Sequence, residues 1–285
     1  MKSSVILFFL LFISFINPVS SQNRLRIMTF NIRYDNPDDG KFSWTNRKSL
    51  VFNTITSHKI DILSIQEGLY SQIKDLESAF PNYKRIGVGR DDGKQAGEFS
   101  AIFFQKDKFE LIDNSTFWLS QTPSVAGSRG WDAACNRVVT WAKLKEKKTG
   151  TPFFVFNTHF DHMGEVARRE SAQLLLKQIA DMAGAAAFVV TGDFNGDEQS
   201  VPYQILINSV NPKLLNTRYV SKNGSKGPDC SFISFKVEFK KGEVIDHIFI
   251  NSKSKAINHT IVDDNINGFY PSDHLPVFTD LILNN

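Results

Sequence analysis

Cysteine is scarce in this chain, with only Cys135 and Cys230 among 285 residues. The pair has no spacing that would hold zinc, nothing marks either thiol as a nucleophile, and one disulfide or two thiols remain open alternatives. No cysteine lies near the end of the apolar N-terminal run, so a lipid anchor through an N-terminal cysteine has no support. Strong charge of either sign is also missing. Thirty-three basic residues against thirty acidic ones give +3, and removal of residues 1–21, whose only charge is Lys2, leaves +2. Such a chain lacks the basic excess that favours long nucleic acid, which leaves that class open without promoting it. Linkers, internal repeats and low-complexity tracts are absent as well, so the sequence predicts one domain over residues 22–285.

The longest apolar run, Val5 to Ile16, follows Met1-Lys2-Ser3-Ser4 and precedes the small residues Ser20 and Ser21. One positive charge and about a dozen apolar residues fit a secretory signal, whereas a membrane span needs about 20. An uncleaved anchor is the other reading of the same run. The expectation is a signal peptide over residues 1–21 cut before Gln22, export to the periplasm or the extracellular space, and no membrane span after cleavage. The aromatic run Phe117-Trp118-Leu119, the nearest thing to a membrane-inserting hairpin, reads more simply as part of a strand.

What the sequence does contain is a series of apolar runs that end in polar residues suited to catalysis. Leu25 to Asn31 ends in Asn31, and Ile60 to Glu67 in Gln66 and Glu67. Phe153 to His159 ends in Asn157, Thr158 and His159, with Asp161 and His162 just beyond. Phe188 to Asn195 ends in Asp193 and Asn195, which point the same way on an extended chain. Val244 to Ile250 carries Asp246 and His247, and Ser272-Asp273-His274 precedes the last apolar run, Leu275 to Leu283. Between these runs, residues 46–58, 71–80 and 165–182 have helical spacing, the last through Ala172, Leu175, Leu176 and Ile179 with Gly184 closing it. Residues 83–88, 99–105, 109–118 and 137–144 read as further strands, the last joined to 153–157 by a hairpin over Lys147-Lys148-Thr149-Gly150. Hairpins and crossovers together imply mixed sheets.

Taken in order, these segments resemble the endonuclease/exonuclease/phosphatase superfamily, the fold group of pancreatic-type DNase, abasic-site endonucleases, sphingomyelinases, inositol polyphosphate 5-phosphatases and deadenylases, from about Leu25 to about Leu283. The resemblance implies a four-layer α/β/β/α sandwich of two packed mixed β-sheets, with the active site at one end of the sheets. It also implies a Mg²⁺ or Mn²⁺ cofactor, for which Asn31 and Glu67 are the expected ligands, with Asp273 contributing; hard oxygen donors suit such ions. By the same resemblance Asp246 orients His274, whose other ring nitrogen faces the scissile phosphate, and His159 contacts the phosphate or leaving group with Glu98 supporting it. Asp193 is expected to orient or deprotonate the attacking water and Asn195 to bind a non-bridging oxygen. Arg137 is expected to neutralise phosphate.

Phe30 to Pro37, Trp44 to Arg47, Gly89 to Gly93 and Arg129 to Ala134 resemble a narrower group of exported bacterial members. Loops at these positions would bring Arg33 and Arg90 to the substrate phosphate and Trp131 to a base or sugar, unless Trp131 and Trp44 simply pack the loops. His247 should face away from Asp246, while His58 and His259, without motif context, are expected at the surface.

The leading functional expectation is a metal-dependent phosphodiesterase of the nuclease type. Gly192 to Asn195 followed by Ser200 to Leu206 resembles the exonuclease and deadenylase branch. A phosphomonoesterase or a phospholipid-headgroup phosphodiesterase is the enzymatic alternative. The non-enzymatic one is a silent binding module, which the presence of Asn31, Glu67, His159, Asp193, Asn195, Asp246, Asp273 and His274 argues against. The expected partner is a phosphoester, with nucleic acid or a nucleotide among the candidates, and the expected state is a monomer.

Overall fold

The computed structural model describes residues 24–236 and 244–284; the expected signal peptide lies outside them. Strands β1 (Leu25–Asn31), β2 (Ile62–Gln66), β3 (Tyr83–Ile86) and β4 (Ile102–Gln105) come first, with helices α1 (Trp44–Ser57) and α2 (Tyr70–Ala79) between them. Next come β5 (Phe109–Trp118), β6 (Val138–Glu146), β7 (Pro152–His159) and β8 (Ala187–Asp193), with α3 (Glu165–Ala183) crossing from β7 to β8. The last part supplies α4 (Val201–Asn208), β9 (Leu215–Asn216), α5 (Thr217–Val220), β10 (Ser225–Lys226), β11 (Asp246–Ile250), β12 (Ser254–Ile261) and β13 (Val277–Leu283).

Two mixed sheets form, of order β10-β12-β13-β1-β2-β4-β3 and β5-β6-β7-β8-β11-β9. Ile27, Ile62 and Phe104 of the first sheet share a buried cluster with Val155, Val189 and Ile248 of the second. The outer face of the first sheet packs Met28, Phe30 and Leu63 against Val51, Ile55, Ile73 and Leu76 of α1 and α2. On the other side, Phe156, Phe188 and Val190 pack under Ala172, Leu175 and Ile179 of α3. These are the four expected layers. Each buried aliphatic side chain of this kind contributes about 1.5–3 kcal/mol, so both sheets are held rigidly from both faces.

Toward the ends of the strands the interface between the sheets turns polar. Gln66 Nε2 donates to Asn157 Oδ1 at 2.6 Å, Asn157 Nδ2 donates to the Ile65 and Ala101 carbonyls at 2.8 and 2.9 Å, and Thr191 Oγ1 donates to Ser64 Oγ at 2.7 Å. Gln66 and Asn157, expected from their strand-end positions to be of catalytic type, are fully buried and pin the sheets together instead. The network, in which Gln66 Oε1 has no hydrogen-bond partner among the described residues, fixes relative position more than it adds stability. It lies directly beneath the residues that follow each strand.

Candidate active site

Register brings the polar strand ends into one place. Asn31 pairs with Gln66 across parallel β1 and β2, which sets Glu67 just beyond. In the second sheet His159 pairs with Asp193 across parallel β7 and β8, and Asp246 pairs with Asp193 across antiparallel β8 and β11. Close packing makes this register possible: a Cβ on Gly192 would lie 2.4 Å from the Thr158 carbonyl oxygen, so only glycine lets β8 approach β7 here. Three of the residues at the strand ends hold left-handed backbone, Arg33 at φ 56°, Glu67 at 62° and Asn195 at 45°. Non-glycine residues adopt this region at a cost, and such strain gathers at functional sites.

Above these ends lies a cavity of about 610 Å³, within the usual range for a small-ligand site. Asp193 is at the centre of its floor. Its Oδ2 accepts from Asn31 Nδ2 at 2.9 Å and lies 3.4 Å from His159 Nε2 and 3.7 Å from His274 Nε2, while Oδ1 accepts the Asn195 N–H at 2.9 Å. Burial and the neighbouring Asp246 carboxylate push its pKa up to about 7, against the opposing pull of His274. Behind His274, Nδ1 lies 2.9 Å from Asp246 Oδ2. Burial lowers the basicity of this imidazole, but the Asp246 and Asp193 carboxylates outweigh it and hold His274 well above the ordinary histidine value. His159 goes the other way, lowered first by burial and then by the Arg137 and Arg90 guanidinium groups.

Glu67 and Asp273 line the same cavity from the first sheet's side. Glu67 Oε1 accepts from Asn31 Nδ2 at 2.9 Å and Oε2 from the Tyr34 N–H at 3.1 Å. Burial raises the Asp273 carboxyl, His274 lowers it, and the nearby Glu67 raises it further. Glu67, His159 and Asp193 each offer a ligand atom within 4.8 Å of the others. Mutually repelling carboxylates in one cleft form a set of hard oxygen donors that fits a divalent cation such as Mg²⁺ or Mn²⁺. Asn31 stands behind this set: its Nδ2 positions both Glu67 and Asp193, and its Oδ1 accepts the Arg33 N–H at 3.0 Å with one lone pair left over.

Three arginines surround the cavity, each held by an acid. Arg33 forks onto Asp39 at 3.0 Å with both Nε and Nη2 and comes within 3.8 Å of Asp273. Arg90 Nη1 donates to Glu98 Oε2 at 2.6 Å. Arg137, 5 % exposed, pairs through Nε with Asp161 at 3.3 Å and through Nη2 with His162 Nδ1 at 3.0 Å. Arg137 Nη1 and Arg90 Nε are buried and have no hydrogen-bond partner among the described residues. A buried unmet donor is costly, and both side chains line the cavity.

Several expected placements differ. Glu98 braces Arg90 rather than His159, whose Nδ1 has no partner among the described residues; the guanidinium nearby captures the carboxylate. Trp131 is half-buried but does not line the cavity, and its loop is held by an N–H bond to Gln121 Oε1 at 3.3 Å. Trp44 packs in the α1–α2 layer with its Nε1 on Asp75 at 2.8 Å. Cys135 and Cys230 are not joined in a disulfide. His247 faces away into Phe194, Tyr203 and Phe249 as expected. His259, expected at the surface, is 1 % exposed, and His58 is half-buried against Asp264 at 2.8 Å. Sequence reasoning did not place Asp39, Cys135, Phe232, Ser234, Phe235 or Ile245 in the cavity. They sit in loops, in the short 3₁₀ turn Pro37–Phe42 or just before a strand, where no periodicity marks them.

The comparisons agree with this geometry. A solved structure from Bacteroides vulgatus, described as an endonuclease/exonuclease/phosphatase, superposes with a TM-score of 0.88 at 41% identity, over 92% of this chain and all of that one. A mannosyl-6-phosphatase from Bacteroides thetaiotaomicron superposes with a TM-score of 0.86 at 34% identity, over 91% of this chain and all of that one. Among curated relatives, the CCR4-Not 3'-5'-exoribonuclease subunit Ccr4 of Aspergillus niger is 23% identical over 84% of this chain, which spans about half (47%) of that protein's length. The model of the Endonuclease/Exonuclease/phosphatase family matches residues 28–274. Strand ends, paired histidines and sequence together make this chain a member of that family.

Proposed function

We propose that this protein is a phosphoester hydrolase dependent on Mg²⁺ or Mn²⁺, and that its substrate is a compact phosphomonoester. The observation that carries the reading is the meeting of both charges in one small cavity. Glu67, Asp193 and Asp273 line it together with Arg90 and Arg137, whose Nε and Nη1, respectively, are buried and have no hydrogen-bond partner among the described residues. A monoester dianion carries the charge and the oxygen acceptors that such donors require. The mannosyl-6-phosphatase is similar over the full length of that relative.

In this reading Glu67 and Asp273 hold the cation, with Asn31 keeping the Glu67 carboxylate in place. A bound divalent cation neutralises phosphate charge and polarises the phosphoryl group. His274, charged and steadied by Asp246, donates its Nε2–H to a phosphoryl oxygen. Asp193 orients the attacking water and takes its proton. Arg137 meets a non-bridging oxygen through Nη1, and Asn195 with His159 lines the opposite side of the reacting group. The apolar leader in the sequence supports export, so the substrate would be met outside the cytoplasm.

A nucleolytic reading is favoured by one observation, the similarity to the exoribonuclease Ccr4. One panel separates the two. Purified residues 22–285 with Mg²⁺ or Mn²⁺ should release inorganic phosphate from sugar and glycerol phosphates, stop in excess chelator, and lose metal affinity and turnover together in Glu67→Gln. Release of nucleotides from RNA or DNA with no phosphate from the monoesters would replace the proposal with the nucleolytic reading, and full turnover in chelator would remove the metal.

A further inference from the structure

Phosphate chemistry leaves one wall of the cavity unexplained. Tyr34, Phe232, Phe235 and Ile245 line it, and the two phenylalanines and the isoleucine offer nothing to a cation or a phosphoryl group. Phe235 stacks on Phe42 with centroids 4.3 Å apart and planes 10° from parallel, and Phe42 stacks in turn on Phe269 at 5.2 Å and 20°. Phe42 and Phe269 lie outside the cavity lining, so a column of rings backs the one that reaches the cavity.

The same wall is tied to the chemical centre. The N–H groups of Ile233 and Ser234 both donate to the Asp273 carbonyl, at 2.8 and 3.1 Å. Ser234 and Phe235 hold left-handed backbone, at φ 50° and 56°, a conformation that non-glycine residues keep only where the surroundings enforce it. The Phe232 ring lies 5.0 Å from the His274 ring, and a backbone bridge joins the two residues. Tyr34 carries the Arg33 guanidinium over its ring at 4.5 Å while its N–H holds Glu67. The Phe232 ring thus lies against His274 and the Tyr34 ring under Arg33, while Phe235 directly follows the segment bonded to the Asp273 carbonyl.

We propose that Tyr34, Phe232 and Phe235 form the subsite for the organic half of the substrate, and that this half is a ring with an apolar face. A pyranose presenting its C–H face and a nucleobase share that chemistry. The inference rests on the phosphoester reading above and specifies its substrate class. Half-buried aromatic surface is the usual platform for such rings, because stacking adds to the area removed from water.

The test is a preference rather than a rate. With Mg²⁺, kcat/KM is measured for mannose 6-phosphate, adenosine 5'-monophosphate and the ringless glycerol 3-phosphate, in the wild type and in Phe235→Leu, which keeps apolar bulk, and Phe235→Trp, which keeps a ring. The ring-to-ringless ratio should fall about tenfold in Phe235→Leu, mainly through KM, and survive in Phe235→Trp. The ring substrate whose ratio falls identifies sugar or base. An unchanged ratio in Phe235→Leu overturns the subsite. Binding of phosphate-free mannose and adenosine, followed by NMR chemical shifts, gives an independent readout: loss of ring binding in Phe235→Leu supports the subsite even if no ester is turned over, an outcome that would sink the hydrolase reading alone. Equal binding by both proteins, or by neither, overturns it.

Discussion

Two imidazoles on the floor of the cavity differ in one partner. His274 and His159 are both buried, and both turn Nε2 toward Asp193 Oδ2. Asp246 stands behind His274; nothing among the described residues stands behind His159 Nδ1. Their charge states consequently diverge, with His274 held well above the ordinary histidine value and His159 well below it. Burial alone would make both neutral. A carboxylate behind one ring, and guanidinium groups near the other, turn the same side chain into a cationic donor on one side of Asp193 and a neutral group on the other.

The largest effect should come from dismantling the braced side. His274→Ala is expected to lower kcat by on the order of a hundredfold or more, as for a positioned proton-transfer or charge-stabilising group. Asp246→Asn should lose much of the same rate, because the amide no longer holds the ring cationic. The double variant should cost far less than the product of the single losses. A strictly multiplicative cycle in steady-state kinetics would show His274 acting alone. The unbraced side should matter less: His159→Ala is expected to cost on the order of tenfold under the same conditions, and a loss equal to that of His274→Ala would erase the distinction between them.

A third buried histidine sharpens the comparison from outside the site. His259 Nδ1 lies 2.9 Å from Thr217 Oγ1, and burial first, then Arg218, lowers its pKa to about 3. Below its ordinary value of about 6.5 the unfolded chain takes a proton that the folded ring refuses, so stability is lost as pH falls toward 3. His259→Gln should therefore flatten the pH dependence of the urea midpoint between about pH 6 and 4. An unchanged slope would show that His259 does not contribute to acid sensitivity.

The same contrast marks what could be read from the sequence. Asp193, His159 and Asp246 end or begin apolar runs, and an apolar run reports its own strand and its own end. The side chain that a residue meets depends on register between distant strands, which local pattern does not carry. Thus β5 is legible to its ends, whereas Glu98 is read with the wrong partner and Gln66 and Asn157 with a catalytic character they do not have. Helix α4, strand β12 and the aromatic wall went unread for a related reason. Each is held by tertiary contacts, as with Tyr203 and Leu206 against the α3 side, more than by a strong periodicity of its own.

The divergence of the two imidazoles is open to direct observation. Side-chain ¹⁵N shifts of metal-free protein, assigned with His274→Ala and His159→Ala and followed from about pH 5 to pH 9, would report each ring separately. The expected result is a doubly protonated His274 across neutral pH, a neutral His159 throughout, and a drop of His274 toward neutrality in Asp246→Asn. Two rings titrating together near the ordinary histidine value, unmoved by Asp246→Asn, would contradict it.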